Sequence, residues 1–273
     1  PVEERDLVAC LQQLLHDVPA HELCSAEYEY THLFKVPHYA CSGDCDISES
    51  EETMSDTVTM REELRSFLHE NPIIAVLVVD DPEQALSTGR ALLAGGVRSV
   101  ELALRTPRAL DCIEALVNEL PELTVIAGTV ITGDQVDEVA RRGCRAAVAP
   151  GLNPKTVRHA MDAGLSFAPG VATPTDIEAA LELGCRTLKF FPAEPSGGLS
   201  LLSSMAGPYA HLGLDFIPLG GIRDSHITSY LENQYVLALG GSWIAPRVLV
   251  ESEEWQEIER RARGAVEIAT QAR

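Results

Sequence analysis

Residues 187–194, Thr-Leu-Lys-Phe-Phe-Pro-Ala-Glu, thread a single lysine, Lys189, through an otherwise apolar run. In an extended chain Thr187, Lys189 and Phe191 share one side, while Leu188 and Phe190 share the other. Pro192 has no N–H to donate and ends the pairing. If both faces of the strand are covered, Lys189 lies among aliphatic and aromatic neighbours, where desolvation disfavours the ammonium form. A free amine in that position adds to carbonyl carbons, which is the chemistry of a Schiff-base lysine. The same run also suits a strand-edge lysine with a packed stem and a solvated head.

A second stretch, residues 99–106, supplies acid and base groups. Period two places Glu101, Ala103 and Arg105 on one face and Val100, Leu102 and Leu104 on the other. The apolar set suits a helix-covered face, so Glu101 points the opposite way, into the interior. A lone buried carboxylate there costs several kcal/mol unless a partner or a function holds it. Arg105, about 13 Å further along an extended chain, offers a planar donor fork suited to a substrate carboxylate. An internal ion-pair network is the alternative for these two residues. Short, small or turn-forming segments end the other strands: Ala127-Gly128-Thr129-Val130, Ala149-Pro150-Gly151, Ala168-Pro169-Gly170, Gly220-Gly221 and Gly240-Gly241-Ser242. Pro-Gly corners are equally consistent with plain turns. Paired glycines after the last strands of a barrel allow bare amides to approach phosphate oxygens, although isolated Gly-Gly pairs are a weak signal.

The elements that must position these groups alternate regularly from residue 61 onward. A short amphipathic helix over 61–70 leads into an apolar strand at 73–79. Strands are then expected at 99–103, 124–127, 146–149, 166–168, 187–191, 215–218 and 236–239. Helices are expected between them at 82–94, 107–119, 134–142, 154–163, 174–183, 199–210 and 225–232, with a last one over 252–271. Gly95-Gly96 ends the first of the intervening helices. Eight apolar strands without polar alternation, each followed by a helix, predict a parallel sheet covered on both faces. The fold class expected is α/β, specifically a (β/α)8 TIM barrel. An open doubly wound sheet is the competitor. A barrel gathers the strand C-termini, and with them the polar groups above, around one mouth.

The chain has 273 residues, 45% hydrophobic and 5% aromatic, with a formal net charge of -20. That charge argues against nucleic acid and anionic membrane partners. The longest apolar run, 73–79, has the length of a buried strand rather than a spanning helix. Seven cysteines without a visible secretory signal read as reduced thiols in a cytoplasmic protein. Residues 1–59 differ from the rest: they hold 13 Asp/Glu against only Arg5 and Lys35. They are expected to form a poorly structured acidic extension, with an amphipathic helix over 5–17 and a solvated linker over 42–59. His38, Cys41 and Cys45 are close enough in sequence to share a metal, but match no zinc signature cleanly, and an ordinary loop is the stronger reading. Met60 is a possible true start. The domain boundary is therefore drawn between 59 and 60, with 60–273 as the functional barrel.

Five of these segments, Val100 to Thr106, Ala127 to Val130, Leu188 to Glu194, Gly220 to Ile222 and Gly240 to Trp243, occur in an order that resembles the bacterial 2-keto-3-deoxy-6-phosphogluconate (KDPG) / 4-hydroxy-2-oxoglutarate (KHG) aldolase family. The resemblance spans residues 61–273 and leaves 1–59 without a counterpart. It implies that Lys189 forms a Schiff base with a 2-keto group and that Glu101 moves protons, mainly through a water. Arg105 and Thr129 would hold the pyruvyl carboxylate, Phe191 and Pro150 would line the site, and Gly220, Gly221 and Ser242 would receive a distal phosphate. It implies no metal and no cofactor, because the protonated imine is itself the electron sink, and it implies a homotrimer. Two positions depart from the family pattern: Leu219 stands where threonine is usual, and Arg223 where serine is common. The first weakens the phosphate reading and the second could strengthen it.

The expected activity is class I cleavage of KDPG to pyruvate and glyceraldehyde 3-phosphate. Cleavage of KHG to pyruvate and glyoxylate is the alternative. A phosphosugar isomerase or epimerase with Glu101 as base, and a non-catalytic sensor acting through its acidic extension, are more distant ones.

Overall fold

The computed structural model describes residues 62–273. The helix expected over 5–17, the linker, the His38/Cys41/Cys45 set and the 59/60 boundary lie outside them. Residues 62–70 form helix α1. There follow β1 (Ile73–Leu77), α2 (Pro82–Ala94), β2 (Ser99–Ala103), α3 (Ala109–Glu119), β3 (Thr124–Gly128), α4 (Gly133–Arg141), β4 (Ala146–Val148) and α5 (Pro154–Asp162). The second half runs β5 (Ser166–Ala168), β6 (Gly170–Val171), α6 (Pro174–Glu182), β7 (Thr187–Phe190), α7 (Ala193–Ser196), α8 (Gly198–Ala206), β8 (Asp215–Pro218), α9 (Ile227–Leu231), β9 (Leu239–Gly241), α10 (Arg247–Glu251) and α11 (Trp255–Gln271).

Local chemistry sets the β-to-α corners. Asp81 accepts hydrogen bonds from the Glu83 and Gln84 amides ahead of a helix that starts with Pro82. Thr132 with Gln135 and Thr173 with Asp176 form reciprocal capping boxes at α4 and α6. Each satisfies first-turn amides that have no partner within the helix, so the helix start, and the strand end before it, are fixed by two or three residues.

All the strand pairings are parallel. They form a six-stranded sheet in the order β5-β4-β3-β2-β1-β9 and a three-stranded sheet in the order β6-β7-β8. The regular pairing is thus divided into two ladders of parallel strands. The fifth strand is split into β5 and β6 by Pro169, which lacks an amide hydrogen. Between β8 and β9 the ladder is reduced to two isolated parallel bridges, Phe216 to Val236 and Leu219 to Gly240.

The last strand also lies three residues later than its apolar pattern predicted. Gly240 and Gly241 pair with Ile74 and Ala75 of β1, and a Cβ on Gly240 would stand 2.6 Å from the Ile74 carbonyl oxygen. Close backbone approach, not side-chain hydrophobicity, decides that register.

The curled sheet has two apolar faces. The outer one, with Val100, Leu102, Val125, Ala127, Leu188 and Phe190, packs against the helices. The inner one gathers Ile74, Ile126, Val148, Ala168, Ile217 and Leu219, and Leu68 of α1 joins it. Arg65 of α1 is paired with Asp215 at the start of β8 at 2.5 Å, so α1 is tied to the N-terminal ends of the strands. Among the described residues no helix is long and apolar enough to cross a membrane.

Candidate active site

Glu101 and Lys189 are the two charged residues among those described that the fold buries, each 4% exposed. They come from β2 and β7, which belong to different sheets, and their side chains meet on the inner face. Lys189 Nζ donates to Glu101 Oε1 at 2.9 Å and lies 3.0 Å from Oε2. The contact answers both questions the sequence raised: each buried charge is the other's partner. The carboxylate is a proton acceptor in contact with the amine, and an amine must give up its proton before it can act as a nucleophile.

The strand registers place this pair within the sheet. Glu101 is opposite Ile126 of β3, and Lys189 is opposite Ile217 of β8 and Gly170 of β6. Two aliphatic side chains thus flank the charges and exclude water, which strengthens the electrostatic interaction between them. The ring of Phe191 adds a third wall, its centroid 5.2 Å from Nζ.

Gly128, at the end of β3, makes room for the carboxylate. A Cβ there would stand 2.5 Å from Glu101 Oε1 and 2.7 Å from Cγ. The Gly128→Ala variant is therefore expected to push Glu101 off Lys189, lowering kcat/KM by about ten- to a hundred-fold and stability by about 1–3 kcal/mol. Steady-state rates and a melting curve check both effects, and wild-type values in both would show that Glu101 does not need its present position.

The remaining predicted residues surround the C-terminal ends of these strands. Thr129 follows Gly128 with a φ of 61°. For a β-branched residue this left-handed conformation costs of order 1–3 kcal/mol, so the segment is held against its own preference. Nothing in the sequence marked that strain. Arg105 is exposed two residues beyond β2. Its guanidinium makes no ion pair with any described residue, which leaves it available to an incoming carboxylate. Pro150 is exposed after β4, and Gly170 packs so closely on it that a Cβ would fall 2.3 Å from the Pro150 carbonyl.

Gly220 and Gly221 both have positive φ, 99° and 79°. They leave the sheet directly after Leu219, just as the exposed Ser242 leaves it after Gly241, and Leu219 and Gly240 are bridged. The two glycine segments therefore emerge side by side. Leu219 itself is 3% exposed and belongs to the inner apolar cluster.

Sequence reading gave Glu194 no role beyond its place in the Lys189 segment. Its carboxylate accepts a hydrogen bond from Tyr230 Oη at 2.6 Å. The signal was weak because Tyr230 lies 36 residues away on an unremarkable helix.

A cavity of about 400 Å³ opens at the other end of the strands, lined by Leu68, Ile126, Ser166 and Ile217 among others. Neither Lys189 nor Glu101 contributes to its wall, so the buried charges and the strand ends, rather than concavity, identify the site.

The profile of the KDPG and KHG aldolase family matches residues 64–261. The KHG/KDPG aldolase of Escherichia coli (strain K12) is 38% identical over 202 residues, covering 74% of this chain and 94% of that protein. Among solved structures, the KDPG aldolase of Legionella pneumophila, with pyruvate captured at low pH as a covalent carbinolamine intermediate, is 34% identical. It aligns with a TM-score of 0.69 over 71% of this chain and 94% of its own. The KDPG aldolase of Zymomonas mobilis ZM4 with 3-phosphoglycerate is 36% identical, with a TM-score of 0.68 over 78% and 95% of the two chains. With a family profile across most of its length and relatives of this identity, the chain belongs to the KDPG/KHG aldolase family.

Proposed function

We propose that the protein is a class I aldolase that cleaves KDPG to pyruvate and glyceraldehyde 3-phosphate. The observation that carries this reading is the buried contact of Lys189 Nζ with both Glu101 oxygens, at 2.9 and 3.0 Å. In this mechanism Glu101 takes a proton from the Lys189 ammonium, and the free amine adds to the C2 ketone. The resulting carbinolamine loses its hydroxyl as water, with Glu101 returning the proton. In the protonated imine the C3–C4 bond breaks as the C4 hydroxyl gives its proton to Glu101. The bond's electron pair moves to the imine nitrogen, giving an enamine and free aldehyde. Protonation at C3 and addition of water then release pyruvate and restore Lys189.

Arg105, with Thr129, holds the pyruvyl carboxylate; Phe191 and Pro150 line the reacting carbons; Gly220, Gly221 and Ser242 take the distal phosphate. The exposed guanidinium of Arg105 and the adjacent exit of the two glycine segments support these assignments. The carbinolamine of the Legionella relative and the 3-phosphoglycerate in the Zymomonas one support pyruvyl and phosphorylated ligands, respectively.

Residues 60–273 form the catalytic unit in this reading. Its sheets close into one eight-stranded barrel across the Pro169 break and the two bridges between β8 and β9, and the chain works as a cytoplasmic homotrimer.

KHG is the second reading, because Leu219 brings no hydroxyl to the distal end and is committed to the inner cluster. Turnover of the two substrates separates them. KDPG is expected to have a kcat/KM about ten-fold higher or more, the value of one charge-assisted anchor of about 1.5–3 kcal/mol. A preference for KHG would reverse the assignment.

A further inference from the structure

We propose that Glu194 is a positioning residue for the distal end of the substrate, bracing the Gly220–Gly221 segment against the end of the strand that carries Lys189. The inference rests on the aldolase reading above and adds to it the residue that shapes the phosphate subsite.

Two consecutive glycines with φ of 99° and 79° have little conformational preference of their own, and a cradle made of their amides must be held from outside. Glu194 does this by three routes. Its backbone amide donates to the Gly220 carbonyl at 3.0 Å, beside the Ala193 amide donating to the Leu219 carbonyl at 2.7 Å. Its side-chain stem fills the space against Gly221, where an added Cβ would stand 2.7 Å from the Glu194 Cβ. Its carboxylate is itself anchored: Oε1 accepts from Tyr230 Oη at 2.6 Å, and Oε2 lies 3.8 Å from His226 Nε2. The other ring nitrogen of His226 accepts from the Arg223 amide at 3.3 Å, so the same network fixes the chain on the far side of the glycines.

Tyr230 is 1% exposed, and burial together with the Glu194 carboxylate pushes its phenol above the ordinary value, which keeps the donating proton in place. A carboxylate beside a phosphate site is electrostatically unfavourable by itself. Anchoring a segment with no rigidity of its own explains why one stands there.

The experiment compares wild type with Glu194→Ala, Glu194→Gln and Tyr230→Phe in two assays, KDPG cleavage and borohydride trapping of pyruvate alone. Pyruvate does not reach the distal subsite. Glu194→Ala is expected to raise KM for KDPG about ten-fold or more with a much smaller change in kcat, leaving pyruvate trapping at Lys189 close to the wild-type rate. Glu194→Gln, which still accepts from Tyr230, should recover most of the KM. Tyr230→Phe, which keeps the packing, should raise KM several-fold and remains informative if Glu194→Ala does not fold. An unchanged KM in both Glu194→Ala and Tyr230→Phe would overturn the inference, as would a fall in pyruvate trapping that matches the loss of KDPG cleavage. Absence of trapping in the wild type would instead overturn the aldolase reading itself.

Discussion

Incubated with pyruvate and reduced with borohydride, the protein is expected to gain the mass of one reduced pyruvyl group, and peptide mapping is expected to place it on Lys189. The chemistry requires an amine that can lose its proton, a ketone within reach and no competing nucleophile; among the described residues Lys189 is the buried lysine, with a carboxylate at 2.9 Å. Replacing it with methionine should abolish trapping and lower kcat/KM by about 10⁴-fold or more, the scale seen when a nucleophile is removed from a residue set that acts as a unit. That variant leaves Glu101 buried without its partner, at a cost of about 3–5 kcal/mol in stability. The double variant Lys189→Met/Glu101→Gln should regain part of the lost stability and none of the activity. This separates the chemical role from the structural one. A phosphosugar isomerase using Glu101 as base and Lys189 as electrostatic support would show no adduct.

The second large effect is expected at Glu101. Glu101→Gln preserves the volume and leaves an oxygen to accept from Lys189 Nζ, yet it cannot carry a proton between the amine, the C2 oxygen and the C4 hydroxyl. Removing a general acid–base from the transition state costs about 10²–10⁴-fold, so kcat should fall by that factor with KM little changed. Trapping should still mark Lys189, at a slower rate. Wild-type turnover in this variant would mean that the protons travel by another route and that Glu101 serves only as a counter-ion.

The alternation of apolar strands and amphipathic helices was legible because each signal is local. Helix α2 and strands β2 and β8 lie where the pattern placed them, and the capping residues Asp81, Thr132 and Thr173 follow rules that act within four residues. The expectations that moved depended on distant partners. The final strand shifted onto Gly240 and Gly241 because only glycine fits against the Ile74 carbonyl. The expected helix over 199–210 is α-helical over Gly198–Ala206 and continues as a 3-10 turn, Gly207–Leu212, and a separate short helix, Ala193–Ser196, precedes it across Gly197 with φ of 129°. The 225–232 helix opens with a 3-10 turn, Asp224–His226, in which His226 accepts from the Arg223 amide. A five-residue helix, Arg247–Glu251, was not anticipated at all, since one turn of chain carries too little periodicity to read.

The sequence by itself determined which residues share a side of each strand: period two groups Lys189 with Thr187 and Phe191, and sets Glu101 opposite the apolar Val100, Leu102 and Leu104, while whether Lys189 lay inside or at a strand edge stayed open. The class of chemistry was legible as an expectation, from the five ordered segments that resemble the KDPG/KHG aldolase family. Only the tertiary structure decided that Glu101 and Lys189 meet. They are 88 residues apart, on strands of different sheets, and their separation in space follows from sheet curvature and register, which no local pattern encodes. The same holds for Glu194 and Tyr230, and for Gly128, whose missing side chain matters only because Glu101 occupies that space. Side-chain direction is a property of the strand, but distance is a property of the whole curled sheet.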